Sequence, residues 1–432
     1  MKSQTLLSLS ASILTALAVP LTAAAQDAQQ RPLPAAHYTV SDLGTLSGGN
    51  FSQPFFITKN GRVAGSSNLA DGSSHAVVWA NKQAADLGAL GGSNSIAFGV
   101  NNYGQAVGEA ETPASDPNGE DFCGFGTHLI CLPFEAANGV MSPLPTLGGN
   151  NGAANAISNR GKVGGFAENS TADPGCPSPQ VLQFKPVLWE KGVIHRLPTV
   201  GGDPDGVVYN LNDNGEAVCA SGTCTTFNPN FLNNLLAVHA LLWENGKATD
   251  LGNLGGQTGQ AGGNAAYNVN NRGQVVGGSD LEGDTTFHAF LWTRKTGMQD
   301  LGTLSGDLAS NGISINDGGS VVGVSLDANF NPRAFLWENG VMTDLNTLVA
   351  ADSPLHLLTG CSINSRGEIT GLGLTSTGEI HSYLATPNPN VAAGETTAQG
   401  MVSRRVLSDG ARRLFQQQLR FGRTGARFMG PQ

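Results

Sequence analysis

The chain has 432 residues and a formal net charge of −10 at pH 7. An acidic body repels the phosphates of nucleic acids, so the charge gives no support to nucleic acid as a partner. Charged residues make up only 13% of the chain and 59 residues are glycine, a composition that fits a β-rich, secreted protein with many tight turns.

The first 25 residues have the pattern of a secretory signal peptide. They contain an early Lys2, an apolar run from residue 6 to residue 21, and the small residues Ala23 and Ala25, after which we expect cleavage. The run is too short and too rich in Ser and Thr to span a membrane. The mature chain is therefore predicted to be exported and not membrane-spanning, with residues 26–37 as a Pro- and Gln-rich linker.

One passage, HALLWENGKATDLGNLGG at residues 239–256, recurs seven times along the chain with varying fidelity. The copies begin at His75, Leu132, Lys185, His239, His288, Arg333 and His381, and the last is cut short. All five tryptophans fall at one position of the pattern: Trp79, Trp189, Trp243, Trp292 and Trp337. The chain is therefore predicted to be a repeat protein.

Each repeat unit is predicted to contain four short strands, a to d. In the fifth unit they are residues 265–270, 274–279, 288–292 and 298–301. The a-to-b turns have Asn, Ser or Thr first and Gly fourth in all seven units, which is the pattern of a type I turn. Their glycines lie 43 to 58 residues apart, the spacing of propeller blades.

The two ends of the repeat array predict how the blades close. Strand d follows strand c only six times, and the missing copy stands at the N-terminus, in YTVSDL at residues 38–43. An open array leaves two exposed edges and needs polar caps, whereas a ring in which the first strand completes the last blade explains both ends. The sequence therefore predicts an all-β fold, a seven-bladed β-propeller over residues 38–390 closed by the N-terminal strand.

The c-to-d hairpins predict structural pairs. Asn245 and Gly246 indicate a type I′ turn, and pairing outward from it places Trp243, His239 and Asp250 on one face. A ring of metal ligands, or of sugar-stacking tryptophans, is the alternative, but equivalent residues of seven blades point to separate places. We interpret the tryptophans as core and the following side chains as structural His-Asp pairs: His75, His239, His288 and His381 with Asp86, Asp250 and Asp300.

The b-to-c loops are long in three neighbouring units, at residues 110–131, 167–184 and 220–238. Loops on a rigid scaffold commonly carry binding residues, so we predict a binding face here, with neutral surface variation as the alternative. The predicted contacts are Asp116, Asn118, Asp121, Phe122, Phe125, Phe227 and Phe231. The segment DPNGED at residues 116–121 is rich in oxygen ligands but lacks the full spacing of a calcium loop, so no metal is expected.

The six cysteines favour disulfides, because an exported chain meets an oxidising environment. The short separations favour Cys123 with Cys131 and Cys219 with Cys224, which leaves Cys176 and Cys361.

Residues 391–432 form a basic tail with seven arginines and two acids. A helix capped by Ser408 and ending at Gly422 is predicted within it. Docking on the acidic propeller or on a partner is expected for this tail.

The motifs HAFLW at residue 288, RAFLW at residue 333, and DLGTL at residues 42 and 300 resemble the HAF-repeat family of bacterial extracellular repeat proteins. The resemblance covers residues 38–385 and implies a secreted bacterial protein, but it transfers no catalytic residue. The copy with Ala136 at the tryptophan position departs most, so its sheet is expected to be distorted.

No catalytic motif or cofactor-binding motif is found. We therefore predict a binding module for an extracellular protein or glycan, without a cofactor. The alternative is a polysaccharide-processing propeller enzyme.

Overall fold

The computed structural model describes residues 38–176, 178–224, 235–257, 263–350, 352–388 and Leu407. Within these ranges the regular elements are strands, apart from one 3-10 helix at Leu345–Leu348. The predicted signal peptide, the linker, the tail helix, Phe227 and Phe231 lie outside the described residues. No helix of the described part is long and apolar enough to cross a membrane.

The strands form seven sheets of antiparallel strands, each built from consecutive strands except the one that joins the two ends. The chain begins with β1 (Tyr38–Gly44). Blade 1 then contains β2 (Ser52–Ile57), β3 (Val63–Asn68), β4 (Ser74–Ala80) and β5 (Gln83–Asp86); blade 2 contains β6 (Ser95–Val100), β7 (Ala106–Ser115), β8 (Leu129–Ala137) and β9 (Val140–Pro143); blade 3 contains β10 (Gly148–Ile157), β11 (Val163–Ala172), β12 (Leu182–Glu190) and β13 (Val193–Arg196). Blade 4 contains β14 (Asp205–Leu211), β15 (Ala217–Cys224), β16 (Leu235–Glu244) and β17 (Lys247–Asp250); blade 5 contains β18 (Ala265–Val269), β19 (Val275–Asp280), β20 (Phe287–Thr293) and β21 (Gly297–Asp300). Blade 6 contains β22 (Ala309–Ile315), β23 (Val321–Leu326), β24 (Pro332–Glu338) and β25 (Val341–Asp344); blade 7 contains β26 (His356–Leu357), β27 (Ser362–Ile363), β28 (Ile369–Leu374) and β29 (Ile380–Pro387).

The N-terminal strand closes the ring, as the sequence predicts. Strand β1 pairs with β29 in antiparallel register, with Val40 opposite Ala385, so it forms the outer strand of blade 7. Nδ1 of His381 lies 2.8 Å from a carboxylate oxygen of Asp42. The two ends of the propeller are therefore joined both by a sheet ladder and by a side-chain contact. The seven-bladed, all-β prediction is confirmed.

The predicted c-to-d hairpin is also observed. Asn245 and Gly246 have φ values of 48° and 81°, the positive values that a type I′ turn requires. Leu241 lies opposite Asp250 and Trp243 opposite Ala248, which is the register that pairing outward from the turn gives. Blade 2, where Ala136 replaces the tryptophan, keeps its four strands.

Apolar clusters fill the space between neighbouring blades. Trp79 and Trp189 are 1% exposed, and each packs with valines of its own sheet and apolar residues of the adjacent one. Trp243, Trp292 and Trp337 lie in three further clusters of the same kind. Both faces of a blade are covered in this way, and only a closed ring covers every face. Leu407 of the tail is also buried, in a cluster with Phe51, Leu372 and Ile380.

A second set of contacts joins the blades at the a-to-b turns. We call the first residues of these turns the first turn ring: Thr58, Asn101, Ser158, Asn212, Asn270, Asn316 and Asn364. In five blades the Asn Nδ2 donates to a backbone carbonyl of the next blade, at 3.4 Å from Asn101, 2.9 Å from Asn212, 2.9 Å from Asn270, 3.2 Å from Asn316 and 2.9 Å from Asn364. The last of these bonds reaches Thr58 of blade 1. The same Asn side chains also accept bonds from their own turns, as Asn364 does from the amides of Arg366 and Glu368.

We expect Asn364→Ala to lower the free energy of unfolding by about 1–3 kcal/mol, because the amides of Arg366 and Glu368 lose their acceptor and the Thr58 carbonyl loses its donor from blade 7. Chemical denaturation of the mature protein measures this. Asn329→Ala is the matched control, because Asn329 is exposed and its side chain makes no hydrogen bond within the described residues. Equal stability of the two variants would contradict a structural role for the first turn ring.

The contact between His381 and Asp42 makes ring closure dependent on pH. The hydrogen bond that His381 donates to the Asp42 carboxylate raises the pKa of His381 above its ordinary value of 6.5. Burial favours a raised pKa at Asp42, but the bonds from His381 and Gly44 outweigh it and hold this pKa below 3.8. The histidine contribution is present below pH 6.5 and is lost as the pH rises through the raised pKa, whereas the aspartate contribution is lost only in acid.

His381→Gln is therefore expected to lower the melting temperature more at about pH 5.5 than at about pH 8.5. His195→Gln, on the exposed outer strand of blade 3, is the control. A loss that is the same at both pH values would show that the charge of His381 does not contribute.

Candidate functional site

The long loops predicted as a binding face are partly extended hairpins. Strands β7 and β11 run for ten residues each, beyond the point where β3 and β19 stop after six. The remaining described loops are residues 116–128 in blade 2 and residues 173–176 and 178–181 in blade 3. The loop layer of these blades is therefore smaller and more regular than the sequence spacing indicates.

The two predicted aspartates in this layer accept hydrogen bonds from within their own loop and stabilise its conformation. Oδ1 of Asp116 accepts bonds from the amides of Asn118 at 2.7 Å and Glu120 at 3.2 Å, and its Oδ2 accepts one from Asn151 Nδ2 at 2.9 Å. Asp121 accepts the amide of Gly126 at 3.0 Å. These carboxylates therefore satisfy backbone donors of a turn. The Asn118 side chain is exposed and donates to Glu120 at 3.3 Å.

The predicted phenylalanines of blade 2 lie in the core. Phe122 is 4% exposed, and its ring centroid is 5.4 Å from that of Phe166 in blade 3. Phe125 packs on the same cluster. The described aromatic residues of this loop therefore pack it against the propeller, a role that the sequence pattern does not indicate.

Buried carboxyl groups are concentrated beneath the loop layer. Glu120 and Glu168 have no exposed surface, and Gln180 Nε2 donates to both, at 3.2 and 2.8 Å. Burial, with the nearby Glu120, raises the pKa of Glu168 to about 8. Burial, with Asp173 among the smaller causes, raises the pKa of Asp205 to about 7. The sequence gives little indication of these buried carboxyl groups, because they lie in polar segments whose composition is typical of exposed loops.

The disulfides agree with the sequence prediction for one pair and correct the other. Cys123 is bonded to Cys131, as predicted. Cys224 is bonded to Cys176, whereas Cys219 is a buried free thiol, so the predicted pair of Cys219 with Cys224 is wrong. Both residues lie in strand β15. Five residues of extended strand span roughly 16 Å, far more than a disulfide allows.

Cys361, which the sequence prediction left unassigned together with Cys176, is also a buried free thiol. The observed bond instead joins the blade 3 loop to the hairpin of blade 4, across 48 residues. It therefore holds two neighbouring blades together at the loop-rich end.

The histidine pairs follow the prediction in two blades and depart from it in a third. Nδ1 of His75 and of His288 lie 2.9 Å from carboxylate oxygens of Asp86 and Asp300. Nδ1 of His239 instead lies 2.8 Å from Asp203, with Asp250 at 4.0 Å from its Nε2. The prediction of Asp250 as the main partner of His239 is therefore wrong, because the crossing segment before β14 brings another carboxylate closer.

The a-to-b turns surround a polar cavity at the opposite end from the long loops. Its volume is about 470 Å³, and each of the seven turns contributes to its wall. We call it the turn cup. The second residues of the turns form its rim, which we call the second turn ring: Lys59, Asn102, Asn159, Asp213, Asn271, Asp317 and Ser365. The sequence shows these residues only as turn formers, because nothing in a single repeat indicates that seven turns meet.

Hydrogen bonds run around the second turn ring from blade 2 to blade 6. The amide of each residue donates to the side chain of the next blade: Asn102 to Asn159 at 3.0 Å, Asn159 to Asp213 at 2.8 Å, Asp213 to Asn271 at 3.1 Å and Asn271 to Asp317 at 2.8 Å. This part of the rim is rigid and offers both donors and acceptors to a molecule in the cup.

No family model and no curated protein sequence matches the chain. Among solved structures, the chain is similar to the β-propeller domain of the trilobed protease from Pyrococcus furiosus, with 11% identity, a TM-score of 0.44, and coverage of 81% of this chain and 94% of that one. It is also similar to the BP39L lectin from Burkholderia pseudomallei, with 10% identity, a TM-score of 0.35, and coverage of 82% and 97%. At such identities the likeness concerns the fold and carries no functional conclusion.

We expect peptide mapping without reduction to recover Cys176 linked to Cys224. Cys224→Ser is expected to lower the free energy of unfolding by about 2–4 kcal/mol, since a loop of this length is no longer restrained in the unfolded chain. Cys219→Ala is the control, because it introduces no buried polar group and leaves both bonds intact. Recovery of a peptide with Cys219 linked to Cys224 would contradict the structure.

Proposed function

We propose that the protein is a secreted binding module of the bacterial HAF-repeat family, acting at or outside the cell surface on an extracellular glycan or protein. Disulfides are typical of oxidising compartments, and two are present. The repeat motifs and the signal-like N-terminus support the same assignment.

The turn cup is the observation that carries this proposal. It is a concave polar cavity of about 470 Å³, which is within the range of small-ligand sites. From blade 2 to blade 6 its rim is fixed by hydrogen bonds between blades, so little ordering of this part of the protein opposes binding. The predicted contacts on the loop-rich face are mostly buried or bonded within the loop. We therefore place the binding site in the cup.

An enzyme acting on polysaccharide remains the alternative, and the raised pKa values of Glu168 and Asp205 favour it, since such shifts are common in active sites. Glu168 is fully buried and accepts bonds from Asn150, Asn151 and Gln180. Asp205 is also buried, and accepts the amides of Phe184 and Cys224. These carboxyl groups hold the loop layer, and a substrate cannot reach them without displacing it.

A glycan and polysaccharide array on the mature protein, read for both binding and cleavage, tests the proposal. We expect binding without release of new reducing ends. Ser365→Trp places a bulky ring at the rim of the cup and is expected to weaken binding at least about tenfold by steric exclusion. Thr296→Trp makes the same change in an exposed c-to-d turn and is expected to bind normally.

Cleavage that Glu168→Gln abolishes would establish the enzyme alternative instead. Binding that survives Ser365→Trp would place the site elsewhere on the propeller.

A further inference from the structure

The second turn ring is interrupted at blades 7 and 1. In blades 3 to 6 its residue is Asn or Asp, whose side chain reaches back to the amide of the preceding blade. Blade 7 has Ser365, whose hydroxyl is too short for this, and blade 1 has Lys59, which has no acceptor. The bonds that would continue the ring are absent at these two positions of the described chain.

The interruption leaves polar groups of the rim without partners. Within the described residues, the backbone amides of Asp317 and Ser365 make no hydrogen bond. The buried Oδ1 of Asn102, which would receive the amide of Lys59, also has no partner. Amides at the edge of a cavity remain available to an acceptor on a ligand.

The protein itself shows which group fits this position. The carboxylate of Asp213 accepts both the amide and Nδ2 of Asn159, at 2.8 and 2.9 Å. That of Asp317 accepts the amide and Nδ2 of Asn271, at 2.8 and 3.1 Å. At the interruption, Ser365 offers the equivalent pair of donors, its amide and its hydroxyl, and the position of the carboxylate is vacant because Lys59 replaces the acid.

The charge of this sector favours an anion. No carboxylate of the described residues lies within ion-pair distance of Lys59. Arg62, on the same turn, is held against the blade 2 turn by a bond of 2.9 Å to the Asn102 carbonyl. Arg366 is paired with Glu368. A ligand carboxylate would therefore receive two hydrogen bonds in a sector that Lys59 also lines, and hydrogen bonds to an ionised group are stronger than neutral ones.

An exposed aromatic ring stands on the next turn. Tyr103 is 76% exposed and follows Asn102, whose carbonyl Arg62 holds. The first two residues of its turn, Asn101 and Asn102, line the cup, so the ring of Tyr103 is available to a part of a ligand that extends beyond the rim, and the flat face of a sugar is a suitable partner.

We propose that the sector of the turn cup formed by Lys59 and Ser365 binds the carboxylate of a uronic acid residue in an acidic glycan. The carboxylate takes the place that an Asp side chain occupies in blades 4 and 6, and Tyr103 contacts the sugar. This inference rests on the proposed function, because it takes the cup as the binding site. It adds the chemical class of the ligand.

The test is titration calorimetry of the mature protein with trigalacturonate, with galactotriose as the neutral probe and a tripeptide with a free carboxyl terminus as the third. We expect trigalacturonate to bind and added salt to weaken it, because the contact is ionic. Lys59→Asn provides the missing acceptor for Ser365 and removes the cation, so its affinity for trigalacturonate should fall at least about tenfold. Lys295→Asn makes the same change in an exposed outer turn and should bind as the wild type does.

Thermal melting checks that Lys59→Asn is folded. We expect an unchanged or higher melting temperature, because the second turn ring gains a hydrogen bond. Absence of trigalacturonate binding, or undiminished binding by Lys59→Asn, overturns the inference. Equal binding of galactotriose overturns the carboxylate but leaves the cup as a glycan site. Binding of the tripeptide instead of the sugar overturns the assignment to a glycan.

Discussion

The propeller depends on the Asn side chain that begins five of its seven a-to-b turns. One Asn side chain satisfies two amides of its own turn and one carbonyl of the next blade, so local turn geometry and ring closure are stabilised by the same group. Asn364 completes the circle by reaching Thr58 across 306 positions of sequence. Apolar packing between blades supplies most of the favourable free energy, but it has little direction, and the side-chain amides fix the angular position of each blade. Ring closure by β1 then covers the edge that β29 would otherwise expose.

The sequence is sufficient to predict the fold because its signals repeat. Five tryptophans at one position, seven turn glycines and one displaced strand d are enough to give blade number, strand order and closure. The register of the c-to-d hairpin follows from Asn245 and Gly246, since a two-residue turn with positive φ at both positions permits only one pairing of the flanking strands. Partners that come from another segment are less predictable. Asp203 reaches His239 from the crossing before blade 4, and no spacing within a repeat indicates that contact.

The candidate sites are less accessible to sequence reasoning for a physical reason. Cysteines, acids and phenylalanines in a long insertion look like exposed loop, but the insertion in blade 2 extends a hairpin and buries Phe122 and Glu120 against blade 3. Cys219 and Cys224 are close in sequence and distant in space because their segment is a strand. The turn cup, in contrast, is assembled from three or four residues of each blade, and its shape exists only once the ring has closed.

The repeats carry structural information where they agree, and functional information is more concentrated where one copy departs from a rule that the others obey. Lys59 and Ser365 are ordinary turn residues when each is compared with a turn consensus. They become exceptional only when the hydrogen bonds of all seven turns are compared, because each breaks a bond that four other blades make. A residue that costs the ring a hydrogen bond and places an unpaired cation at a cavity is difficult to explain by stability alone. Binding of a carboxylate at that place would restore both the bond and the charge balance.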